Sequence, residues 1–381
     1  MMSDPGFGIY VHWPFCASKC PYCDFNSYVS DNVEHGLWAK ALVAELEHNF
    51  ALRPGGPVSS IFFGGGTPSL MQPRTVGDVI ETVHRLWGLT NDCEITLEAN
   101  PTSVEAEKFK GFAAAGVGRI SMGIQALNDP DLKALGRLHT VEEALAALGV
   151  AREIFPRVSF DLIYARSGQT VEAWRKELAQ ALDLAADHLS MYQLTLEPGT
   201  PFYELHRRGV LILPDEDAQA DMYEITQEMT RAAGLFPYEV SNHARPGAES
   251  RHNLTYWQLG DYVGVGPGAH GRLTINGKRV ATETEHDPAQ WLADVQVNGH
   301  SIVQQTELSP MSDGEEYLLM GLRLETGISL ARFKALSGTA FDRSRARSLM
   351  DDGMVAVDGD TLRVTDKGRP LLNAIIAALV V

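Results

Sequence analysis

Short apolar runs alternate with longer amphipathic stretches over the first two-thirds of the chain. The short runs predict strands at 7–12, 60–64, 94–99, 119–124, 158–164 and 188–194. Between them, apolar residues recur at helical spacing and predict helices at 36–50, 75–87, 103–115, 141–154 and 171–186. A repeated strand–helix–strand order requires parallel pairing with right-handed crossovers. The pattern therefore predicts either an open doubly wound sheet or a partial β/α barrel, and periodicity does not decide between them.

The last third of the chain follows a different pattern. A long helix is predicted at 215–233, and the Gly- and Pro-rich region 242–271 is expected to form elaborate, functional loops. Further helices are predicted at 313–324, 330–337 and 342–351, before strands 354–357 and 361–364. Asp358-Gly359 between the strands indicates a hairpin. Helices followed by a hairpin predict a small winged-helix-like domain.

Charge and composition exclude several classes of partner. The 381 residues carry a formal net charge of −17, which disfavours binding to nucleic acid. The predicted winged-helix-like part has nine Lys and Arg against ten Asp and Glu from residue 312 onward, so no basic DNA-reading face is expected. No transmembrane segment or signal peptide is visible, and the apolar end, 371–381, is expected to be a packing helix. We therefore expect a cytoplasmic protein.

Three of the four cysteines lie within eight residues. Cys16, Cys20 and Cys23 form a Cys-x3-Cys-x2-Cys loop directly after the first strand, and Tyr22 precedes the last of them. Three thiolates on a tight loop can hold three irons of a [4Fe–4S] cluster. The remaining cysteine, Cys93, is expected to be a buried structural thiol. The fourth iron would then be open to S-adenosylmethionine (SAM), which can chelate it through its amino and carboxylate groups.

A zinc site is the alternative interpretation of the cysteine loop. It would use these thiolates with a histidine such as His12. Structural zinc sites usually pair two Cys-x2-Cys-like elements, and the sequence has no second one. The spacing therefore favours the iron–sulfur cluster.

Polar and glycine residues follow the ends of the other predicted strands. Gly64, Gly65 and Gly66, followed by Thr67, come after the second strand and would allow close approach of the backbone to a ligand. The carboxyl ends of parallel strands meet at one edge, so the polar residues there are expected to converge. These residues are Glu98, Asn100, Gln125, Asp161 and Tyr164. Arg137 could supply a cation for a carboxylate.

Taken together, these motifs resemble the radical SAM coproporphyrinogen-dehydrogenase group, in order and over nearly the whole chain. The resemblance implies an α/β fold: a partial (β/α)6 barrel of the radical SAM type in 1–305 and a small helical, winged-helix-like domain in 306–381. The SAM contacts that the resemblance implies are Tyr10, Gly65, Gly66, Thr67, Glu98, Gln125, Arg137 and Asp161. One departure is Ala165-Arg166-Ser167, where that group more often has Gly-Leu-Pro.

Two features select a branch within this group. Coproporphyrinogen dehydrogenases carry a further cysteine where this chain has Phe25, and they have a long N-terminal extension. The sequence His252-Asn253-Leu-Thr-Tyr256-Trp257 resembles the HNxxYW motif of the HemW branch, which is described as haem chaperones. The resemblance thus implies haem as a cofactor and acceptor haemoproteins as partners, including membrane-associated respiratory proteins. It also implies that coproporphyrinogen dehydrogenase activity, the alternative function, is absent.

The residues of the HNxxYW segment would suit a haem. His252 offers an imidazole for iron, and Tyr256 and Trp257 offer flat apolar surface. Arg245 and Arg251 could pair with propionates. From the residues alone a packed loop explains the segment better, whereas the resemblance favours haem binding. Two other histidines in this region, His243 and His270, are rival iron ligands.

Overall fold

The computed structural model describes residues 5–30 and 32–380. The described part does not include residues 1–4, 31 and 381. These residues belong to the predicted domain ranges, and residue 381 also ends the predicted terminal helix. The strands are β1 (Phe7–Trp13), β2 (Phe15–Cys16), β3 (Tyr28–Val29), β4 (Val58–Gly65), β5 (Leu89–Ala99), β6 (Arg119–Gln125), β7 (Arg157–Tyr164), β8 (His188–Gln193), β9 (Phe236–Pro237), β10 (Asn242–Ala244), β11 (Asp261–Val265), β12 (His270–Ile275), β13 (Lys278–Thr284), β14 (Ile302–Glu307), β15 (Ile328–Ser329), β16 (Val355–Asp358) and β17 (Thr361–Val364).

The helices alternate with these strands. They are α1 (His35–Leu52), α2 (Pro73–Trp87), α3 (Ser103–Ala106), α4 (Phe109–Ala114), α5 (Asp129–Ala134), α6 (Val141–Ile154), α7 (Val171–Leu184), α8 (Pro201–Arg207), α9 (Glu216–Ala232), α10 (Arg251–Trp257), α11 (Pro288–Asn298), α12 (Pro310–Gly321), α13 (Leu330–Ser337), α14 (Arg343–Asp351) and α15 (Leu372–Val380). Two 3₁₀ turns are Pro68–Leu70 and Arg369–Leu371.

One large open sheet organises the main part of the fold. The six strands expected from the sequence, β1 and β4 to β8, lie side by side in chain order and pair in parallel. Strand β11 pairs in parallel with the other side of β1, and the antiparallel strands β12, β13 and β14 follow it. The α/β prediction is confirmed, and the sheet does not close into a barrel. All the parallel strands end at one edge, which brings their last residues together.

Local sequence signals fix the helix starts beside this edge. The Thr140 side chain accepts from the Glu143 N–H, and the Glu143 carboxylate accepts from the Thr140 N–H, which makes a capping box at the start of α6. Thr170 caps α7 with one bond, in which its side chain accepts from the Ala173 N–H. The bounds of α6 match the prediction, because cap and apolar periodicity agree there.

Two predictions differ from the structure. The helix expected at 103–115 is interrupted between α3 and α4, because the Glu105 carboxylate turns inward and accepts from the Asn100 N–H and the Ser69 hydroxyl. The region expected as loops at 242–271 contains β10, α10 and β11. Gly264 allows β11 to lie close to the start of β12, because a Cβ at this position would be 2.1 Å from the His270 carbonyl oxygen.

The C-terminal part has its own hydrophobic core. Helices α12 to α15 pack with the three-stranded sheet of β15, β17 and β16. Strands β16 and β17 form the antiparallel hairpin expected from Asp358-Gly359. Among the described residues, no helix is both long and apolar enough to cross a bilayer. The domain boundary at 305/306 stays a prediction.

Candidate functional site

The three clustered cysteines lie around one pocket. Cys16 ends β2, and the Cys23 N–H donates to the Cys20 carbonyl at 3.1 Å, which makes a tight turn between the last two thiols. All three side chains line a cavity of about 160 Å³ at the carboxyl edge of the sheet. Burial raises the pKa of the Cys16 and Cys23 thiols. Because iron binds thiolates, loading this site would release protons.

The glycine run after β4 forms one wall of the pocket. Gly65 has a φ of 107°, which side chains rarely adopt. A Cβ on Gly66 would lie 3.0 Å from the Cys16 Sγ atom and 2.9 Å from the Phe15 carbonyl oxygen. The Thr67 hydroxyl is 3.4 Å from the Cys16 Sγ atom and donates to it. The backbone here packs directly against the cysteine loop.

A polar chain connects this wall to the cysteines from the other side. The Arg137 guanidinium donates to the Cys20 Sγ atom at 3.4 Å and to the Asn100 Oδ1 atom at 2.6 Å. Asn100 in turn donates to the Thr67 hydroxyl at 3.2 Å. Tyr22 lies in the same pocket, and burial raises its pKa. Arg137 is thus a half-buried cation beside the Cys20 thiol, where it would offset the negative charge of a thiolate.

Two carboxyl groups lie in the same pocket. Burial raises the pKa of Glu98 to about 8, and the neighbouring Asp161 carboxylate adds to the rise. Burial also raises the pKa of Asp161 to about 6, although hydrogen bonds to Ser190 and Ser121 and the charge of Arg119 lower it. Raised pKa values on paired carboxyls in a pocket are typical of functional sites. Once ionised, this pair would favour a cationic ligand such as a sulfonium.

Gln125 carries two signs of a binding role. Its φ is 73°, a left-handed conformation in a residue that is not glycine. Its buried Oε1 atom has no hydrogen-bond partner in the described chain. Both features cost free energy in the folded protein. An unpaired polar atom that faces the cysteine pocket fits a SAM molecule there.

His12 is engaged elsewhere and does not complete a zinc site. Its Nε2 atom is 2.8 Å from the Asn26 carbonyl oxygen, and its Nδ1 atom is 3.1 Å from the Tyr10 hydroxyl. Within residues 5–30 and 32–380, no three His, Cys, Asp or Glu side chains converge closely enough to hold a single ion. The donor set of three thiols around a pocket fits a polynuclear cluster better than one zinc ion.

A second, wider cavity adjoins the cysteine pocket. Its volume is about 670 Å³, within the range of roughly 300–1,000 Å³ typical of ligand sites. Phe25, Gly65 and Glu98 line both cavities, so the two cavities share a wall. The other predicted residues in its wall are Tyr10, Tyr256 and His270. The phenyl ring of Phe25 is 59% exposed between the two cavities.

The remaining HNxxYW residues lie outside both cavities. His252 is buried, its Nδ1 atom is 3.0 Å from the Ser60 hydroxyl, and its Nε2 atom is 2.9 Å from the Tyr256 hydroxyl. Burial lowers the pKa of His252 to about 3. Trp257 faces the C-terminal part, with the Arg323 guanidinium 5.9 Å from its ring centroid. The structure therefore brings only Tyr256 of the predicted trio to the cavity.

The other residues predicted for haem binding are also dispersed. Arg251 pairs with Asp92 at 2.6 Å, and Arg245 donates to the Ala186 carbonyl oxygen. His243 is buried, and its Nε2 atom is 3.3 Å from the Gln227 amide oxygen. The two arginines and His243 are not in the walls of the two cavities described here.

Some pocket residues were not assigned to the site from sequence. They include Lys19, Ser27 and Ser121. Asn100, one of the polar residues expected to converge at this edge, also lines the pocket. Ser121 lies on β6 four residues before Gln125, and its face of the strand could have indicated it. Lys19 and Ser27 belong to the cysteine loop, where no periodicity reports side-chain direction.

Comparison with known proteins agrees with this site. The Radical SAM superfamily model matches residues 10–181, and the HemN C-terminal domain model matches residues 308–371. A "Heme chaperone HemW" of Escherichia coli K12 is 35% identical, and the match covers 99% of this chain and 98% of that one. A mitochondrial "Radical S-adenosyl methionine domain-containing protein 1" of Mus musculus is 41% identical, and the match covers 97% of this chain and 86% of that one.

The solved structure of coproporphyrinogen III oxidase (HemN) from Escherichia coli superposes with a TM-score of 0.81 at 23% identity, and it covers 99% of this chain and 90% of that one. At this identity the match establishes the shared fold alone. The full-length sequence matches, together with the cysteine pocket, show that this chain belongs to the HemW family of the radical SAM superfamily.

Proposed function

We propose that this protein binds haem beside a [4Fe–4S] cluster and SAM, and that it delivers the haem to acceptor haemoproteins. The main observation behind this proposal is that the wide cavity shares a wall with the three-cysteine pocket. Full-length relatives at 34–36% identity that are named haem chaperones support this reading. We include membrane-associated respiratory proteins among the acceptors, and we place the protein in a reducing compartment, the cytoplasm.

The residues of the first pocket would hold the cluster and SAM. Cys16, Cys20 and Cys23 would ligate three irons, and the glycine wall would keep the backbone close to the ligand. Bound together, the cluster and SAM supply a one-electron reductant and a cleavable sulfonium. Arg137 would stabilise the thiolate charge, and Glu98 and Asp161 would face the cation.

Phe25 supports haem binding over coproporphyrinogen III dehydrogenation. An exposed phenyl ring between the cavities offers apolar contact to a macrocycle and no further thiolate to the cluster. Coproporphyrinogen III dehydrogenation remains the alternative, and the HemN-like fold is the observation in its favour.

One experiment distinguishes the two functions. The protein is purified and reconstituted without oxygen, assayed for iron and sulfide, and titrated with haemin while the Soret band is recorded. We expect stoichiometric haem binding and transfer to an apo-haemoprotein. The same preparation is incubated with coproporphyrinogen III, SAM and a reductant beside an active dehydrogenase. Protoporphyrinogen formation without haem binding would overturn the proposal.

A further inference from the structure

The imidazole of the HNxxYW segment is not open to an iron atom. Both ring nitrogens of His252 already have partners, in Ser60 and Tyr256. Its ring also stacks on Phe62, with centroids 5.0 Å apart. Ligation of haem through His252 would break at least one buried hydrogen bond and require α10 to move away from the sheet. His252 instead holds the Tyr256 hydroxyl, which fixes the tyrosine ring at the cavity.

The wide cavity has flat side chains on facing elements. Tyr256 of α10 packs edge-on against Tyr262 of β11, with ring centroids 4.3 Å apart, and both line the cavity. Phe25 comes from the cysteine loop on another side. Aromatic rings with large apolar faces suit a planar macrocycle. The Lys19 ammonium lies in the same wall and, among the residues that the structure describes, donates to the Phe25 and Ser27 carbonyls, so its positive charge would also suit an acidic ligand group.

Three histidines line this cavity. His12 has both ring nitrogens in hydrogen bonds, and the other two come from β12 and the segment after β13. His270 begins β12, is exposed, and its side chain makes no hydrogen bond within residues 5–30 and 32–380. His286 is exposed as well, but its Nε2 atom is 2.7 Å from the Glu283 carboxylate. His270 lies opposite Glu283 in the strand pairing, which keeps both imidazoles at the same rim. Of the two, only His270 has both ring nitrogens without a hydrogen bond in the described part of the chain.

We propose that His270, rather than His252, is the side chain that ligates the haem iron, with the macrocycle lying against Tyr256 and Tyr262. This inference rests on the proposed haem binding and names its ligand. A neutral imidazole is a common axial ligand of haem iron. The bond forms by donation of the imidazole lone pair to the iron, so no oxidant or further reactant is needed.

The test is a set of haemin titrations of the cluster-loaded protein, followed as difference spectra against the same protein without haem. We expect His270→Ala to weaken haemin binding at least tenfold and to lose the ligated Soret signature. Added imidazole should restore that signature in His270→Ala. Because His270 is exposed, this variant should fold like the parent protein. His286→Ala is the matched control from the same rim, and it should keep the signature.

His252→Gln completes the set, because glutamine can keep a hydrogen bond to Ser60 or Tyr256. We expect its Soret position to match that of the parent protein. A normal signature in His270→Ala, with its loss in His252→Gln or His286→Ala, would overturn the inference while haem binding itself stands. Failure of the unmodified protein to bind haemin would instead remove the proposed function, and the inference with it.

Discussion

Arg166 holds together the loop that follows Asp161, and removing it should be costly. Its Nη2 atom lies 2.5 Å from the Glu177 carboxylate and 2.6 Å from the Asp131 carboxylate. The Arg166 and Glu177 side chains are only 5% and 7% exposed. Glu177 also accepts from the Leu127 N–H at 2.7 Å, two residues beyond Gln125. The ion pair thus couples the ends of β6 and β7, where Gln125 and Asp161 line the cysteine pocket.

Arg166→Met would leave the Glu177 carboxylate buried and without its cation. Breaking a buried pair from one side typically costs about 3–5 kcal/mol. We expect a loss of that size in the free energy of unfolding, measured by urea titration at pH 7. Because methionine keeps much of the apolar length of arginine, little of the loss should come from packing. The double variant Arg166→Met, Glu177→Gln should recover most of it, since no buried charge then remains.

A matched control comes from the surface of α2. The Arg74 side chain is 88% exposed, and its ion pair with Asp78 is long at 4.0 Å. Arg74→Met should therefore change the free energy of unfolding by less than about 0.5 kcal/mol. The reasoning would be refuted by a cost below about 1 kcal/mol for Arg166→Met. The single variant Glu177→Gln completes the comparison. The reasoning would equally be refuted if the double variant lost as much free energy of unfolding as Arg166→Met and Glu177→Gln added together, because the two charges would then not be coupled.

The remaining predictions concern the pocket and its edge. The folded-state pKa of Glu98 is raised from 4.5 to about 8, so the free energy of unfolding of the protein without cluster and SAM should fall as pH rises through this window. Glu98→Gln should remove this pH dependence; urea midpoints that change equally with pH from 5 to 8.5 in the variant and the parent protein would contradict the prediction. Cys20→Ser should abolish the broad visible absorbance of the reconstituted cluster with unchanged far-ultraviolet circular dichroism, whereas Cys93→Ser should keep the full iron and sulfide content. Ala165 has a φ of 57°, so Ala165→Gly should change the free energy of unfolding by no more than about 1 kcal/mol in urea titrations. Ala165→Val should be less stable than Ala165→Gly by about 2 kcal/mol, and equal effects of the two variants would contradict the argument from backbone strain.

The parallel strands and the cysteine pocket were predictable because their signals are local. Apolar runs such as that of β7 are bounded by turns, and parallel topology then places all their ends at one edge. Spacing alone put Cys16, Cys20 and Cys23 on one loop. The contribution of Asn100 was harder to foresee, since it bridges Arg137 and Thr67 through side-chain rotamers rather than through periodicity.

The departure at residues 165–167 shows how a nonlocal contact replaces a local rule. A glycine would adopt the left-handed backbone there without cost, yet this chain has Ala165. The next residue, Arg166, reaches two carboxylates on α5 and α7 and so holds the strained turn in place. Nothing in the sequence near residue 165 announces those partners, because they lie 35 and 11 residues away from Arg166.

The HNxxYW segment forms a helix instead of the expected loop, and this changes which of its residues can face one ligand. As a loop, it would let His252, Tyr256 and Trp257 face one ligand together. It is the helix α10, however, and on a helix only residues three or four apart share a face. His252 and Tyr256 are four apart and hydrogen bond to each other toward the sheet, whereas Trp257, one position further, turns toward Arg323. One motif therefore attaches the helix to two different parts of the protein, and for the proposed haem we infer His270, which is exposed at the wide cavity, as the iron ligand.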